Sequence, residues 1–224
     1  MIDEAGQTIQ AKKCDLIHSI RTTFSPDVQT VSLRHRQESP SPFLHLTDDK
    51  KALESWLGAH LKQRVFLKEN VQTGFPDDLQ SPGPTVVAAA TLKKLTEWFP
   101  GLELAEIRRR FRCNIEIGQA PPFWEDQLCA QKGTPQPFQL GAVHFLGINP
   151  CQRCNVPQKD SQSGEKYPDF VKIFKDKRQS ELPVWAQSSQ FDHFYRLCIN
   201  TCLADQLPGL TLQVGDEVRI GKSI

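Results

Sequence analysis

Cys151-Gln152-Arg153-Cys154 places two thiols and a guanidinium just beyond an apolar run, residues 143–148. That run reads as a strand. Residues 149–165, rich in prolines, amides and a glycine, read as the loop that follows it. Functional side chains concentrate where a rigid element gives way to a loop. A thiolate is a soft ligand suited to zinc, copper(I), iron–sulfur clusters and other thiophilic metals, and a cation such as Arg153 beside it favours the thiolate form. On spacing alone three chemistries stay open. The pair can be inert, partly buried strand-end cysteines. A redox pair should open a helix, which Pro157 and the polar tail oppose. A structural zinc site needs two more ligands. Cys198 and Cys202 are the nearest pair, although on a strand such residues stand about 13 Å apart.

The elements that must position these residues come from an ordinary soluble composition. The 224 residues are 38% hydrophobic and 24% charged, enough to bury a core without disulfides. A net charge of +1 gives no broad field for nucleic acid or an anionic membrane. The cluster Arg108-Arg109-Arg110, with Arg112, reads as a solvated helix face. No apolar run approaches a membrane span. Seven cysteines with no leader before them point to reduced thiols and a cytoplasmic location.

Sixteen prolines between short apolar runs suggest many strands joined by turns. A hairpin is expected near Glu4-Ala5-Gly6, and strands over 14–23 and 28–33. A chain opening inside an edge hairpin suggests that part of its first domain lies upstream. The clearest helix spans 47–61, with Thr47 as N-cap and Leu53, Trp56, Leu57, His60 and Leu61 on its buried face. A small-residue strand over 85–90 leads to a helix over 91–99 capped by Thr91, and a second helix over 102–110 follows. Strands are expected over 111–117, 138–148, 191–201 and 212–220, with a helical turn or strand at 171–174. The loop from Gly74-Phe75-Pro76-Asp77-Asp78 to Pro84 reads as a surface linker or as a lid over a site.

In this order the pieces resemble a molybdenum cofactor sulfurase C-terminal (MOSC) domain with the tail of its N-terminal β-barrel partner. The resemblance rests on Met1-Ile2-Asp3-Glu4-Ala5-Gly6, Phe43-Leu44-His45-Leu46-Thr47, Gly74-Phe75-Pro76-Asp77-Asp78, Phe111-Arg112-Cys113-Asn114, Cys151-Gln152-Arg153-Cys154 with Asp160 and Gly164, and Val214-Gly215-Asp216-Glu217-Val218. It is nearest to bacterial proteins similar to the mitochondrial amidoxime-reducing component. It implies a β-rich α+β fold: a MOSC β-barrel core over 71–224, helices over 48–61 and 91–99 packed outside, and a partial N-terminal β-barrel-like domain over 1–70.

The resemblance also implies a molybdenum cofactor (Mo-molybdopterin), with Cys154 as metal ligand and catalytic residue. Arg112 and Asn114 would hold the pterin and phosphate, with Arg153 and Asp160 as further cofactor contacts. A planar guanidinium suits phosphate, and an amide can both donate and accept. One metal-bound thiolate makes the four-thiol zinc site unnecessary and leaves Cys151 a neighbour. Departures from the family pattern are Cys113 in place of Pro, Ala88 in place of Ser and Gln158 in place of Thr. The family's N-terminal Lys, Ser and Arg grip residues fall before Met1 in this register. The implied activity is reduction of N-hydroxylated or other N-oxygenated compounds. Its electrons would come from an external reductase or an iron–sulfur or haem protein, because no such motif is visible here. The alternative is a non-catalytic cofactor-binding or persulfide-carrying domain. The family also carries an association with pyridoxal phosphate binding. No nucleic-acid or membrane partner is implied.

Overall fold

The computed structural model describes residues 1–76, 78–205 and 209–221. Asp77, part of the expected lid loop, lies outside the described residues. The fold is α+β and β-rich, and the chain divides into two units.

The first unit comprises Met1–Phe75 and Cys154–Tyr167. Its sheet is antiparallel, formed by β1 (Ile20–Phe24), β2 (Thr30–His35) and β3 (Leu44–His45). Helix α1 (Lys50–Leu61) puts Leu53, Leu57 and Leu61 on one stripe. That stripe shares a core with Val31 and Leu33, which alternate on one face of β2. Each such buried side chain stabilises the fold by about 1.5–3 kcal/mol. The helix ends at Lys62 in the left-handed region, φ 55°. Thr47 is not its cap. Asp49 occupies the N-cap, and its carboxylate instead accepts the His45 backbone N–H at 2.8 Å. The expected N-terminal hairpin reduces to single bridges from Ile2 to Thr8 and Phe66. The strand expected over 14–23 begins as a 3-10 turn, Asp15–Ser19.

The second unit comprises Pro76–Arg153 and Pro168–Ile224. In chain order it holds β4 (Val86–Ala88), α2 (Ala89–Trp98), α3 (Leu104–Phe111), β5 (Ile115–Ile117), β6 (Gln136–Leu140), β7 (Val143–Gln152), α4 (Phe170–Ser180), β8 (Arg196–Leu203) and β9 (Val218–Ile220). The strands make one mixed sheet in the order β5-β4-β8-β7-β6-β9. Among the described residues only β4 and β5 run parallel, because the two helices between them form the crossover such a pair needs. The three residues of β4 are fully buried, as expected for a strand covered on both faces. Phe138, Phe145, Leu128 and Ile199 centre one core cluster. Phe99 stacks on Phe170 at 4.1 Å, and Phe174 meets the edge of Tyr195 at 5.2 Å.

Three expectations change here. Helix α2 starts at Ala89, so Thr91 lies inside it; its hydroxyl donates to Glu125. Residues 171–174 belong to the eleven-residue helix α4, whose buried face is Phe170, Phe174 and Arg178. The strand expected from residue 111 starts at Ile115, because α3 runs on to Phe111.

Candidate functional site

Strand β7 carries Cys151 and Gln152 at its end, and Arg153 and Cys154 follow it. Two bulges shape its pairing with β8. Between Gly147 and Asn149 the extra residue is on β7; between Pro150 and Gln152 it is on β8. A bulge re-aims a side chain by twisting the strand locally. The second puts Cys198 at φ 66°, an uncommon conformation for a non-glycine residue. Its sulfur lies 2.7 Å from that of Cys113. Gly147, at the first bulge, is dictated by close approach: a Cβ there would stand 1.7 Å from the Leu128 carbonyl oxygen.

Arg153 ties this region together. Its backbone N–H donates to the Tyr195 carbonyl at 3.0 Å. Its guanidinium donates to the Phe111 carbonyl at 2.6 Å and to the Cys151 sulfur at 3.3 Å, and reaches toward Cys198 at 4.0 Å. The charge also lies 5.6 Å from the centre of the Phe111 ring. Its Nε is buried without a hydrogen-bond partner. Burial, with Cys113 alongside, pushes the Cys198 thiol well up, and Arg153 offsets this only in part. Cys198 is therefore a protonated thiol at neutral pH.

The turn that Arg153 grips carries two of the sequence-predicted residues. Arg112 caps α3 in the left-handed region, φ 51°, a position usually given to glycine. Its side chain is exposed and its guanidinium has no partner among the described residues. The side-chain oxygen of Asn114 accepts both the backbone N–H and the hydroxyl of Thr85, each at 2.9 Å. Asn114 thereby joins the starts of β4 and β5, and its amide NH₂ remains as a donor. Arg112, Asn114 and Arg153 thus meet around one turn of the second unit.

Cys154 and Asp160 belong to the first unit. Cys154 is a free, half-buried thiol with no side-chain partner among the described residues. Asp160 shapes the loop beyond it: one carboxylate oxygen accepts the Gln162 N–H at 2.9 Å and the Ser163 N–H at 2.8 Å. The loop is anchored by Lys159, whose buried ammonium donates to Asp15 at 2.5 Å and to the Ala11 carbonyl at 3.1 Å. That hydrogen bond, ahead of every other influence, holds the Asp15 carboxyl below its usual range. Arg21 adds a bond to the Ser161 carbonyl at 3.2 Å.

The zinc alternative loses its second pair. Cys198 faces Cys113, whereas Cys202 donates to the Gln80 carbonyl at 3.1 Å. Sequence reasoning missed other groups. Glu125 is completely buried and accepts the Ala88 N–H and the Thr91 hydroxyl on one oxygen, while the other has no partner. Burial, and then Asp126 beside it, pushes its carboxyl up to about 8. Asp126 pairs with the buried Arg178 at 2.5 Å. Nothing in Trp124-Glu125-Asp126 marks these acids as internal. An open cleft of about 480 Å³, lined by Gln127, Gln131 and Trp185 among others, contains none of the predicted site residues. Among the described residues no helix is long and apolar enough to cross a membrane.

Over 80 residues the chain is 31% identical to a molybdenum cofactor sulfurase of Caenorhabditis elegans, covering 36% of this chain and 10% of that protein. Over 121 residues it is 25% identical to the molybdenum cofactor sulfurase of Caenorhabditis briggsae, covering 53% of this chain and 14% of the relative. The chain therefore matches only a small part of these relatives' length. The MOSC domain family matches residues 85–219, more than half of the chain, in which Cys151-Gln152-Arg153-Cys154 and the Phe111–Asn114 turn both fall. The chain belongs to the MOSC domain family.

Proposed function

We propose that the chain binds a molybdenum cofactor, with Cys154 as the metal ligand, and reduces N-hydroxylated or other N-oxygenated compounds with electrons from a separate protein. The observation that carries this reading is the free Cys154 sulfur, left without a side-chain partner among the described residues at the start of a loop that Lys159 and Asp160 hold in shape. The donor set fits the group. A lone thiolate suits a thiophilic metal, and an unpartnered guanidinium suits a phosphate. When bound, the cofactor supplies a metal able to exchange electrons. The chain's own residues do the rest. Arg112 offers planar donors to an anion, and the Asn114 NH₂ offers one more. Arg153 fixes the turn that presents both, through the Phe111 carbonyl. Asp160 holds the shape of the loop after Cys154.

A second reading follows from the names of the relatives and the same free sulfur. Here Cys154 carries a persulfide for sulfur transfer. Metal and pterin analysis of purified protein separates the two. Molybdenum and pterin, both lost in Cys154→Ser and in Arg112→Gly, would support cofactor binding. Glycine suits the left-handed position of Arg112, so failure to fold would not explain that loss. Reduction of an N-hydroxylated substrate with a supplied reductant, abolished in the same variants, tests the activity. A persulfide on Cys154 in metal-free protein would favour the second reading. Full molybdenum loading of both variants would overturn the first.

A further inference from the structure

In the first unit, two imidazoles and a carboxylate converge at a place the cofactor reading does not use. His35 ends β2, Glu38 lies in the turn after it, and His60 sits in the last turn of α1. His35 Nδ1 is 3.0 Å from one oxygen of Glu38, and His60 Nε2 is 3.5 Å from the other. Each of the three residues offers a ligand atom within 4.8 Å of the other two. With metal–ligand bonds of about 2.05 Å, the edges of a tetrahedron are roughly 3.3 Å. The separations of 3.0 and 3.5 Å lie near that value; they run to the two different oxygens of Glu38, so ligation through one oxygen requires the exposed carboxylate to turn.

The orientation of His60 is set from outside the cluster. Its Nδ1 lies 2.7 Å from the Trp56 carbonyl oxygen. A carbonyl can only accept, so Nδ1 carries the proton. In the neutral ring, Nε2 then presents its lone pair toward the Glu38 carboxylate. Two lone pairs facing each other require a cation between them or a second proton on the ring. Metal-bound histidines characteristically donate their other N–H to a backbone carbonyl in this way. The ring is held further by stacking on Trp56, with centroids 3.8 Å apart, and it contacts the His35 ring at 4.9 Å. Both imidazoles are thus fixed on regular elements, and Glu38 faces solvent with 59% of its side chain exposed.

We infer that His35, Glu38 and His60 form a binding site for a divalent transition ion, Zn²⁺ being the probe of choice, with water in the fourth position. Two imidazoles favour such an ion over Mg²⁺ or Ca²⁺, which prefer oxygen ligands. The bound ion would tie the end of β2 to the end of α1. This site is independent of the molybdenum reading.

The test is Zn²⁺ titration of the metal-stripped 224-residue chain by calorimetry and equilibrium dialysis, alongside Glu38→Ala and His60→Gln. None of the seven cysteines is in a disulfide. Thiol sites therefore contribute equally to wild type and variants, and the difference reports this cluster. The expected result is one additional Zn²⁺ per wild-type chain. Its affinity should fall at least about 10–100-fold in each variant, as for loss of a group that supports a metal. Zn²⁺ should also raise the melting temperature of wild type more than that of Glu38→Ala, whose side chain is exposed enough to remove without unfolding the protein. Equal Zn²⁺ uptake by wild type and both variants would overturn the inference. So would Zn²⁺ binding that disappears in Cys154→Ser and persists in Glu38→Ala.

Discussion

Replacing Glu125 with Gln should flatten the pH dependence of folding stability. In the folded protein, burial pushes this carboxyl up to about 8 from an ordinary value of 4.5. The folded state therefore holds the proton more tightly than the unfolded chain. The stabilisation is complete below about pH 4.5 and disappears as pH rises through about 8. At about 1.36 kcal/mol per unit of pKa, the full span is about 5 kcal/mol. Between pH 5 and pH 9 the wild type should lose about 4 kcal/mol from this group, mostly at about 1.4 kcal/mol per pH unit. Gln is neutral throughout. Its carbonyl can accept the Ala88 N–H and the Thr91 hydroxyl, as the glutamate does. Its NH₂ would occupy the place of the oxygen that lacks a partner, a deficit the protonated acid shares. The two proteins should thus match near pH 5, and the variant should be more stable by several kcal/mol at pH 9. Denaturant melts of both at five pH values measure this. Parallel stability curves would refute the reasoning, because they would mean that Glu125 is not protonated in the folded state.

Two further perturbations follow from the same unit. Gly147→Ala would place a Cβ 1.7 Å from the Leu128 carbonyl oxygen, so a destabilisation of about 3 kcal/mol or more is expected; a thermal melt within a degree or two of wild type would contradict it. Asp126→Asn would leave the Arg178 charge, 1% exposed, without its counter-ion, at a cost of about 3–5 kcal/mol. Denaturant melts would show this, and pairing Asp126→Leu with Arg178→Met should recover most of the loss.

Local spacing made parts of the fold legible. Leu53, Leu57 and Leu61 announce α1 because their repeat matches the helix period. The run 143–148 announces β7. Competing contacts, one local and one long-range, account for what was misread at two helix starts. Thr47 and Thr91 each have the right side chain to cap a helix. The first was displaced when Asp49 took the N-cap, and the second is drawn to Glu125, thirty-four residues away along the chain. Helix α4 was readable from Phe170, Phe174 and Arg178 at intervals of four, but a buried arginine does not look like a core position. At the candidate site, Arg112 and Asn114 stood out from their motif. The roles of Cys198 and Arg153 as internal partners of that turn depend on a bulge in β8, which no local pattern encodes.

The interleaving of the two units limits how this molecule can be dissected. The backbone leaves the second unit after Arg153, contributes Cys154–Tyr167 to the first, and returns at Pro168. A fragment beginning at Pro76 would keep the Lys159 ammonium and discard both of its anchors, Asp15 and the Ala11 carbonyl. Neither half can be excised at one cut, so genetic exchange of either one would have to carry discontinuous pieces of the gene together.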